Sequence, residues 1–492
     1  MAIRVRSEER AGGTILDALA PRQRDVAERL AGAFAAGGRE LYLVGGIVRD
    51  VLLERPLPND LDFATSAVPE ETRRLGKAAG ADEVYAVGER FGTIGFVFGK
   101  GPDRLPVEVT TYRREHYPDE TRFPTVELGG RLEDDLARRD FTVNAIAADP
   151  VSGDLIDPFG GEADVALSVL RAVGDPDERF AEDPLRLLRA ARFVAQLGFR
   201  LDPETEAAMA RLAPSLGRIS QERILAELTK LLLGTYADHG LEALRRSGLI
   251  EVALPELAPL AAEADAGWGP RATREKELWE HTTRVVKQAP ARPAVRWAAL
   301  LHDAAKPATR AVDPLGEVHF FGHEIAGAKL ADRLLRRLKA DKALQTRVRR
   351  LVELHGRPTT YEPDWTDSAV RRLALEAGEV WDDLLDLAAA DVTSAREHKR
   401  RAAAVRVAGL RAHFNRLQAE AELAKLQSPL DGDELMARFN RGPGIWIKHV
   451  KDHLRELVID GELAPDDKAG AERIARAMIE RGEADELPTR IE

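Results

Sequence analysis

The chain of 492 residues contains no cysteine. This absence excludes a disulfide-stapled fold, a thiol nucleophile, and zinc or iron–sulfur sites held by cysteine, so any metal must bind to carboxylates and histidines. Long apolar runs are missing as well. No stretch approaches the 18 or so apolar residues of a membrane-spanning helix, and the N-terminal segment lacks the apolar core of a secretion signal. We therefore expect a cytoplasmic protein with no membrane partner.

The chain also lacks the basic surplus of a protein that packages nucleic acid. Its 72 lysines and arginines face 83 aspartates and glutamates, which gives a net charge of -11. Any contact with RNA must therefore be local. Apolar residues make up 44% and charged residues 32%, a composition that is ordinary for a globular protein with sizeable cores. The length predicts roughly three domains, and we find neither a fixed-period repeat nor a low-complexity tract.

The hydrophobic pattern changes along the chain. Helical spacing over residues 21–37 leads into a strand-like run at 41–44, and further strand-like runs follow at 61–64, 84–87, 93–98 and 107–111. From about Asp164 onward, helical periods of three and four dominate, with loop-like breaks near 262–270, 312–317, 361–367 and 427–433. The pattern predicts an α/β head on a small mixed sheet, followed by a helical remainder.

Two aspartates, Asp60 and Asp62, flank Leu61 in one of these strand-like runs. Residues i and i+2 of a strand project from the same face, so the two carboxylates are expected to point together. Like charges this close repel unless a cation lies between them, and hard oxygen ligands suit Mg²⁺. Glu108, in the apolar strand VEVTT, also needs a partner and could be a third ligand. A pair of aspartates at this spacing is common, so the pair alone is weak evidence for catalysis.

An ordered set of motifs surrounds these carboxylates. GGxVRD, with Gly45, Gly46 and Arg49, precedes the aspartate pair, and GERFGTIGF follows it before the strand of Glu108. RRDFTVNA (138–145), EDPLRLLRAARF (182–193) and RISQERILAEL (218–228) come next. This order resembles the class II tRNA nucleotidyltransferase and bacterial poly(A) polymerase family of the polymerase-β-like superfamily, over roughly the first 235 residues.

The resemblance implies a two-metal nucleotidyl transfer to the 3′-hydroxyl of an RNA. Asp60 and Asp62 would hold Mg²⁺, and Glu108 would assist at the ion on the attacking side. The two glycines would let backbone N–H groups approach phosphate oxygens. The residues expected near the nucleotide are Gly45, Gly46, Arg49, Arg139, Asp140, Asn144, Asp183, Arg186 and Arg189.

Asp183 and Arg186 have two interpretations. Asp183 before Pro184 is typical of a helix N-cap and first helical residue, and Arg186 would then answer only the local charge. In the family that the chain resembles, the corresponding pair reads the incoming base in place of a template. A carboxylate accepts from the exocyclic amino group that cytosine and adenine share, whereas uracil and guanine carry a carbonyl there. The resemblance favours this second interpretation.

A separate histidine and aspartate set lies in the helical part. LLHDAAKPATR contains an adjacent His-Asp pair, with further histidines upstream and downstream and an aspartate beyond them. This arrangement resembles the HD superfamily of metal-dependent phosphohydrolases. The resemblance implies a site for Mg²⁺ or a divalent transition metal on His281, His302, Asp303, His323, His355 and Asp391. The alternative is a domain that has lost activity and only supports RNA binding.

Two local basic clusters interrupt the acidic total. One cluster has eight members, Arg333, Arg336, Arg337, Lys339, Lys342, Arg347, Arg349 and Arg350, and the other is REHKRR at 396–401. Either cluster could follow a phosphate backbone, although a solvated helix face explains many such runs.

The sequence therefore predicts an α+β protein: an N-terminal nucleotidyltransferase head on a small mixed sheet, then an all-α neck, HD block and tail. The predicted boundaries are 1–163, 164–240, 241–405 and 406–492. We expect template-independent addition of C, C and A to tRNA from CTP and ATP, with tRNA and the two nucleotides as partners and no DNA. CC-only or A-only addition and poly(A) synthesis remain open, as do an HD phosphohydrolase acting on RNA-terminal or cyclic phosphates and a non-catalytic RNA-binding protein. The oligomeric state is not predicted.

Overall fold

A computed structural model describes residues 4–5, 15–86, 92–116, 125–262, 278–315, 318–392, 397–425 and 428–485. The chain divides into two compact units. The first unit comprises Met1–Gly356 and Asp382–Thr393, and the second comprises Arg357–Trp381 and Ser394–Glu492. Within the described ranges, we find no helix with the length and apolar character needed to cross a bilayer. The domain boundaries expected from the sequence stay predictions.

The N-terminal part of the first unit contains most of the strands. They are β1 (Arg4–Val5), β2 (Leu41–Val44), β3 (Leu61–Thr65), β4 (Glu83–Ala86), β5 (Thr93–Phe98), β6 (Leu105–Thr111), β7 (Arg113–His116), β8 (Thr125–Leu128), β9 (Ala147–Ala148) and β10 (Leu155–Ile156). The helices here are α1 (Pro21–Ala36), α2 (Gly46–Leu52), α3 (Pro69–Ala78), α4 (Leu132–Ala137) and α5 (Gly161–Ala166). The described residues confirm the predicted strands at 41–44 and 93–98 residue for residue.

Eight strands form one sheet in the order β1-β10-β9-β2-β3-β6-β5-β4, and β7 pairs separately with β8. Strands β3 and β6 run parallel, whereas the other pairs of the large sheet are antiparallel. Leu61, Phe63, Val107 and Val109 are buried on one face of the central strands. Helix α3 packs against β5 and β6 and also against α1. The alternate residues, which include Asp62 and Glu108, therefore face the other side.

The described remainder of the first unit is helical apart from two-residue strands. Its elements up to the gap at residue 263 are β11 (Val169–Leu170), α6 (Pro176–Glu182), α7 (Leu185–Leu197), β12 (Arg200–Leu201), α8 (Pro203–Leu212), α9 (Gln221–Leu232), α10 (Ala237–Arg246), α11 (Leu249–Ala253) and α12 (Ala258–Ala262). Helix α7 is buried between α9 and α10. The approach of α10 is close, because a Cβ on Gly240 would lie 2.8 Å from the carbonyl oxygen of Ala191.

The remaining described elements of the two units are helices and one pair of short strands. They are α13 (Leu278–Gln288), α14 (Pro293–Leu301), α15 (Lys306–Thr309), the hairpin β13 (Ala311–Val312) and β14 (Val318–His319), α16 (His323–Arg337), α17 (Lys342–Leu354), α18 (Asp367–Ala377), α19 (Trp381–Ala390), α20 (Glu397–Lys425), α21 (Gly432–Phe439), α22 (Ile445–Ile459) and α23 (Lys468–Glu480). Short 3-10 turns occur at Ile15–Ala18, Gly101–Asp103, Thr142–Asn144, Ala213–Arg218, Pro255–Leu257, Pro358–Thr360 and Gly378–Val380. The predicted α+β class, a sheet-bearing head followed by helices, is confirmed.

The second unit has its own apolar core. Leu430, Leu435, Trp446, Val450 and Leu454 are buried together there. The indole N–H of Trp446 donates to the carbonyl oxygen of Gly442 at 2.8 Å, so this buried aromatic has its polar atom paired.

Helix α3 approaches the sheet so closely that only glycine fits at position 76. A Cβ placed on Gly76 would lie 2.1 Å from Cε1 of Phe96, a side chain that is 0% exposed. We predict that Gly76→Ala lowers the free energy of unfolding by roughly 1–3 kcal/mol, because crowding of the core outweighs the higher helix propensity of alanine. Thermal or urea unfolding measures this change.

Gly32→Ala in α1 is the matched control, since a Cβ on this exposed glycine would have no heavy atom within 4 Å. This control is expected to raise the free energy of unfolding by up to about 1 kcal/mol. Equal stabilisation by both substitutions would contradict the packing argument.

Candidate functional site

A cavity of about 560 Å³ lies in the first unit, on the side of the sheet that bears Asp62. It collects all nine residues predicted to lie near a nucleotide, together with Asp62. The lining residues are Gly45, Gly46, Arg49, Asp62, Arg113, Arg138, Arg139, Asp140, Asn144, Asp183, Leu185, Arg186, Arg189, Phe193 and Arg223. Residues separated by more than a hundred positions in the chain thus share one cleft, called the arginine cleft below.

The three predicted catalytic carboxylates are neighbours through sheet pairing. Asp62 in β3 and Glu108 in β6 are partners in the parallel register, and Asp60 lies one residue before β3. Desolvation by the surrounding protein, together with repulsion from Asp60 and Glu108, raises the pKa of Asp62 to about 6. Burial and Asp60 raise the pKa of Glu108 as well. The mutual repulsion of three carboxylates is what a divalent cation would relieve, so this donor set fits Mg²⁺.

A row of hydrogen bonds runs through the residues of the arginine cleft. Arg49 donates to the side-chain oxygen of Asn144, and Asn144 Nδ2 donates to Asp140 at 3.0 Å. Asp140 also accepts from Arg189 Nε at 2.8 Å. Burial alone would raise the pKa of Asp140, but Arg189 and Asn144 outweigh it and lower the pKa to about 2. Asp140 is therefore a fixed negative charge that positions Arg189 directly and Arg49 through Asn144.

Asp135, which is 0% exposed, holds the next two guanidinium groups. It accepts from Arg138 Nε at 3.0 Å and from Arg139 Nη2 at 3.3 Å. Burial raises the pKa of Asp135, whereas the two arginines lower it, and the net shift is downward. Arg139 Nη1 lies close to Gly45, since a Cβ built on this glycine would be 3.3 Å from it. Arg139 Nε is buried and has no hydrogen-bond partner among the described residues. A buried donor of this kind fits an anionic ligand.

The predicted base-reading pair lies on the wall of the same cleft. Asp183 accepts from the backbone N–H of Leu185 at 3.1 Å and from Arg223 at 3.1 Å. Its contact with Leu185 is the cap-like interaction that the sequence left open. Arg186 is 8% exposed and donates to Glu182 at 2.6 Å and to the carbonyl oxygens of Arg179 and Arg138 at 3.0 and 2.8 Å. Its guanidinium is consequently locked in orientation.

Sequence reasoning did not assign three arginines of the cleft, Arg113, Arg138 and Arg223. Arg138 lies in the motif RRDFTVNA and Arg223 in RISQERILAEL. The motifs therefore contain both residues, but they do not indicate that either side chain lines the cleft. With them, seven arginines face three aspartates in the lining. Asp135 and Glu182, which are not part of the lining, pair with Arg138, Arg139 and Arg186. Guanidinium groups held in this way are suited to bidentate contacts with the oxygens of a polyphosphate.

The six HD residues come together at a second site in the first unit, where helix ends converge. His281 lies in α13, His302 and Asp303 directly follow α14, His323 begins α16, and His355 and Asp391 directly follow α17 and α19. Two groups each bring their ligand atoms within 4.8 Å of one another: His281, His302 and Asp391, and Asp303, His323 and His355. Within the described ranges no other group of three such side chains is this tight, the head carboxylates included.

Asp303 connects the two groups. Its Oδ2 lies 3.2 Å from His302 Nε2, and its Oδ1 lies 3.6 Å from His323 Nε2. The Nδ1 atoms of His302, His323 and His355 each lie 2.8 Å from a backbone carbonyl oxygen three residues earlier, which leaves every Nε2 directed at the cluster. Backbone carbonyls commonly orient metal-ligating histidines in this way. The mixed nitrogen and oxygen donors fit one or two divalent ions.

The charges of the HD cluster are strongly perturbed. Burial alone would lower the pKa of His302, but Asp303 and Asp391 outweigh it and raise the pKa to about 10. Burial and the nearby His302 lower the pKa of His355 to about 4. Burial alone would raise the pKa values of Asp303 and Asp391, but the neighbouring histidines outweigh it and hold both pKa values well below the ordinary range. Such opposed shifts are typical of functional sites.

Most residues of the larger basic cluster form ion pairs with acidic residues of the same chain. Six of its eight members form ion pairs: Arg336 with Asp332, Arg337 with Glu256, Lys339 with Glu222, Arg347 with Asp383, and Arg349 and Arg350 with Glu353. These pairs reduce the charge available to RNA. In the second cluster Arg396 lies outside the described residues, and Arg401 pairs with Glu397 at 3.1 Å.

Three family profiles match successive parts of the chain. The poly A polymerase head domain matches residues 41–171, a probable RNA and SrmB-binding site of polymerase A matches 198–260, and the HD domain matches 278–396.

Curated relatives and solved structures agree with these profiles. A CCA-adding enzyme of Geobacillus kaustophilus is 41% identical over 53% of this chain, and this match spans 62% of the relative, less than two thirds of its length. A crystal structure of the Bacillus stearothermophilus CCA-adding enzyme in complex with CTP has a TM-score of 0.59 and 28% identity, over 95% of this chain and 99% of that one. A CCA-adding enzyme of Geobacillus sp. (strain WCH70) is 34% identical over 87% of this chain and 90% of the relative. The resemblance predicted from the motifs is confirmed, and the chain belongs to the family of CCA-adding enzymes with a poly A polymerase head and an HD domain.

Proposed function

We propose that this chain adds C, C and A to the 3′ end of tRNA from CTP and ATP without a nucleic-acid template. The observation that carries the proposal is the single cleft that brings Asp62, the anchored arginines and the pair Asp183 and Arg186 together. The relatives named CCA-adding enzymes support it. The proposal includes a cytoplasmic location, where tRNA and both nucleotides are present.

The cleft supports a division of labour among its residues. Asp60 and Asp62 would hold Mg²⁺ with Glu108 beside them, and the bound ions supply polarisation of the attacking 3′-hydroxyl and charge neutralisation for the departing pyrophosphate. The arginines held by Asp135 and Asp140 bind and orient the triphosphate. Because their aspartate partners are buried and ionised, these arginines need little rearrangement when the nucleotide enters.

The proposed base selection depends on the hydrogen-bonding groups of Asp183 and Arg186 in the wall of the cleft. Asp183 accepts from the amino group of cytosine or adenine, and Arg186 donates to the adjacent ring nitrogen. Uracil and guanine would set a carbonyl oxygen against the Asp183 carboxylate. The backbone and Glu182 contacts of Arg186 fix the orientation of its planar guanidinium. The protein itself would therefore present the donor that a template base would otherwise supply.

The central test uses tRNAs that end before the first C, before the second C or before the A, with CTP and ATP singly and together. With both nucleotides we expect each substrate to be extended to CCA and no further, and with CTP alone we expect extension to stop before the A. We expect Asp62→Asn to lower the rate by about a thousandfold, since several kcal/mol of charge stabilisation at the metals is lost. Gel analysis of labelled tRNA measures both results.

Asp103→Asn is the control, because the Asp103 side chain is 77% exposed and lies 3.9 Å from Arg22, outside the cleft. Failure on the first substrate would indicate A-only addition, arrest after the second C would indicate CC-only addition, and open-ended A tails would indicate a poly(A) polymerase. Full activity of the Asp62 variant would contradict the assignment of the head.

We predict that Asp183→Asn reduces the preference for CTP over UTP by about ten- to a hundredfold. The amide can donate to the uracil carbonyl, whereas the carboxylate cannot, and one base contact is worth about 1–3 kcal/mol of discrimination. The ratio of kcat/KM for the two nucleotides on tRNA lacking its last three residues is the measurement. Asp177→Asn, which alters an exposed pair with Arg211, should leave the ratio unchanged. An unchanged ratio in the Asp183 variant would show that base selection lies elsewhere.

A second activity is favoured by the six-residue HD cluster: hydrolysis of 2′,3′-cyclic or terminal phosphates on RNA. The carrying observation is the pair of donor groups connected by Asp303, with their histidines oriented by the backbone. A divalent ion held there supplies Lewis-acid polarisation of a phosphoester. Lys306, 2.7 Å from Asp303, adds a positive charge next to the cluster.

We predict that His302→Ala and His323→Ala each remove most of the metal bound at the HD cluster and abolish phosphoester hydrolysis, while CCA addition stays within about twofold of the wild type. Loss of one ligand from a small donor set costs roughly 10–100-fold or more in affinity. Elemental analysis of the purified protein and hydrolysis of cyclic-phosphate RNA ends are the measurements. His319→Ala, which alters a pair with Asp313 outside the two groups, is the control. Unchanged metal content in both variants would refute the metal site, and metal without hydrolysis would support the non-catalytic role.

A further inference from the structure

A row of four residues crosses the face of the sheet that bears Asp62. Cα pairing joins Asp62 in β3 to Glu108 in β6, Glu108 to Gly95 in β5, and Gly95 to Tyr85 in β4. Directly paired residues on neighbouring strands point to the same face. The carboxylates therefore occupy one end of the row, and the phenol ring of Tyr85 belongs to the other.

The ring of Tyr85 lies directly against Gly95. A Cβ on Gly95 would be 2.4 Å from both Cε2 and Cζ of the ring, so any larger residue at 95 would displace it. Tyr85 comes from the edge strand β4 but reaches back over β5, towards Glu108. Consistent with this direction, burial and then the nearby Glu108 charge raise the pKa of Tyr85. The side that does not touch Gly95 is available to solvent, since Tyr85 is 38% exposed.

The spacing along the row matches the size of a nucleoside. Neighbouring strands lie about 4.8 Å apart, so Gly95 is one strand from Glu108 and roughly 10 Å from Asp62. An RNA whose terminal 3′-hydroxyl reaches the carboxylates would place its last ribose near Glu108. The base attached to that ribose would then lie over the β5 side of the row, where the tyrosine ring is.

We propose that Tyr85 is the stacking surface for the terminal base of the RNA primer, a role that rests on the proposed nucleotidyl transfer at Asp60 and Asp62. The terminal base changes with each nucleotide added, so a contact that serves every step must tolerate different bases. Stacking on an aromatic ring meets this requirement, because every base has a π-face, whereas hydrogen-bond readout does not. Tyr85 acts by holding the primer end and takes no part in proton or phosphoryl transfer.

A purely structural role must be separated from stacking, because an aromatic side chain that covers a strand glycine also stabilises an edge strand. Tyr85→Leu keeps apolar cover over Gly95 but has no π-face, and Tyr85→Phe keeps both. Tyr236 offers a matched control. It is also 38% exposed and also covers a glycine, since a Cβ on Gly198 would lie 2.9 Å from its ring.

The experiment measures KM for tRNA, KM for ATP and kcat on a tRNA ending in CC. We expect Tyr85→Leu to raise KM for tRNA by about 5- to 150-fold, the effect of losing one stacked base, with KM for ATP and the thermal midpoint unchanged. Tyr85→Phe and Tyr236→Leu should resemble the wild type. A primer with an abasic last nucleotide should bind the wild type and Tyr85→Leu equally weakly.

A wild-type KM for tRNA in Tyr85→Leu would overturn the proposal. A fall in thermal stability together with parallel losses for tRNA and ATP would overturn it too, in favour of a structural role. Fluorescence anisotropy of labelled tRNA gives the same comparison without turnover. Full activity of Asp62→Asn would refute the nucleotidyl transfer site, and the anisotropy result would still decide whether Tyr85 contacts the RNA end.

Discussion

The parallel register of β3 against β6 is the constraint on which the head site depends. It sets Asp62 beside Glu108 on one face and leaves Phe63 and Val109 on the other. Because side chains alternate along a strand, a slip of one residue would turn Glu108 into the apolar layer and expose a valine in its place. The apolar layer that packs against α3 therefore holds the carboxylates in position: the requirement to bury one face determines what the other face can present.

Charge is concentrated in the arginine cleft at a cost that buried aspartates offset. Asp135 and Asp140 are nearly inaccessible and stay ionised because guanidinium groups surround them. Removing one member of such a buried pair costs about 3–5 kcal/mol, since the other charge is left uncompensated. Conversely, the arginines cannot disperse without abandoning these aspartates. The guanidinium groups of the cleft are thus already oriented in the folded protein, so binding an anion there requires little further rearrangement.

Local pattern predicted much of the fold. Strands β2 and β5 coincide with apolar runs bounded by glycine or polar residues, and α1 ends one residue before the predicted position. Helix α3 was not predicted, because its sequence PEETRRLGKA contains very few apolar residues, and only Thr72, Leu75 and Gly76 of its ten residues are buried. The motif residues predicted to bind a nucleotide lie in one cleft of the structure, but the motifs do not indicate which side chains pair with one another. The engagement of Arg223 with Asp183, and of Arg337 with Glu256, depends on contacts across 40 and 81 positions.

The ion pair between Arg223 and Asp183 has a consequence for selectivity. The Asp183 carboxylate already accepts from the guanidinium of Arg223 on α9. Under the base-reading role proposed for Asp183, an arriving base would compete with this internal donor and not with water alone. A base that brings an amino group can replace the contact it disrupts. A base that presents only a carbonyl would break the contact between Arg223 and Asp183 without forming a new one. The lost ion pair would then add to the free-energy cost of binding that base. In the proposed mechanism, Arg223 of α9 would be an internal competitor for Asp183, and its contact would set how strongly a base must bind to displace it.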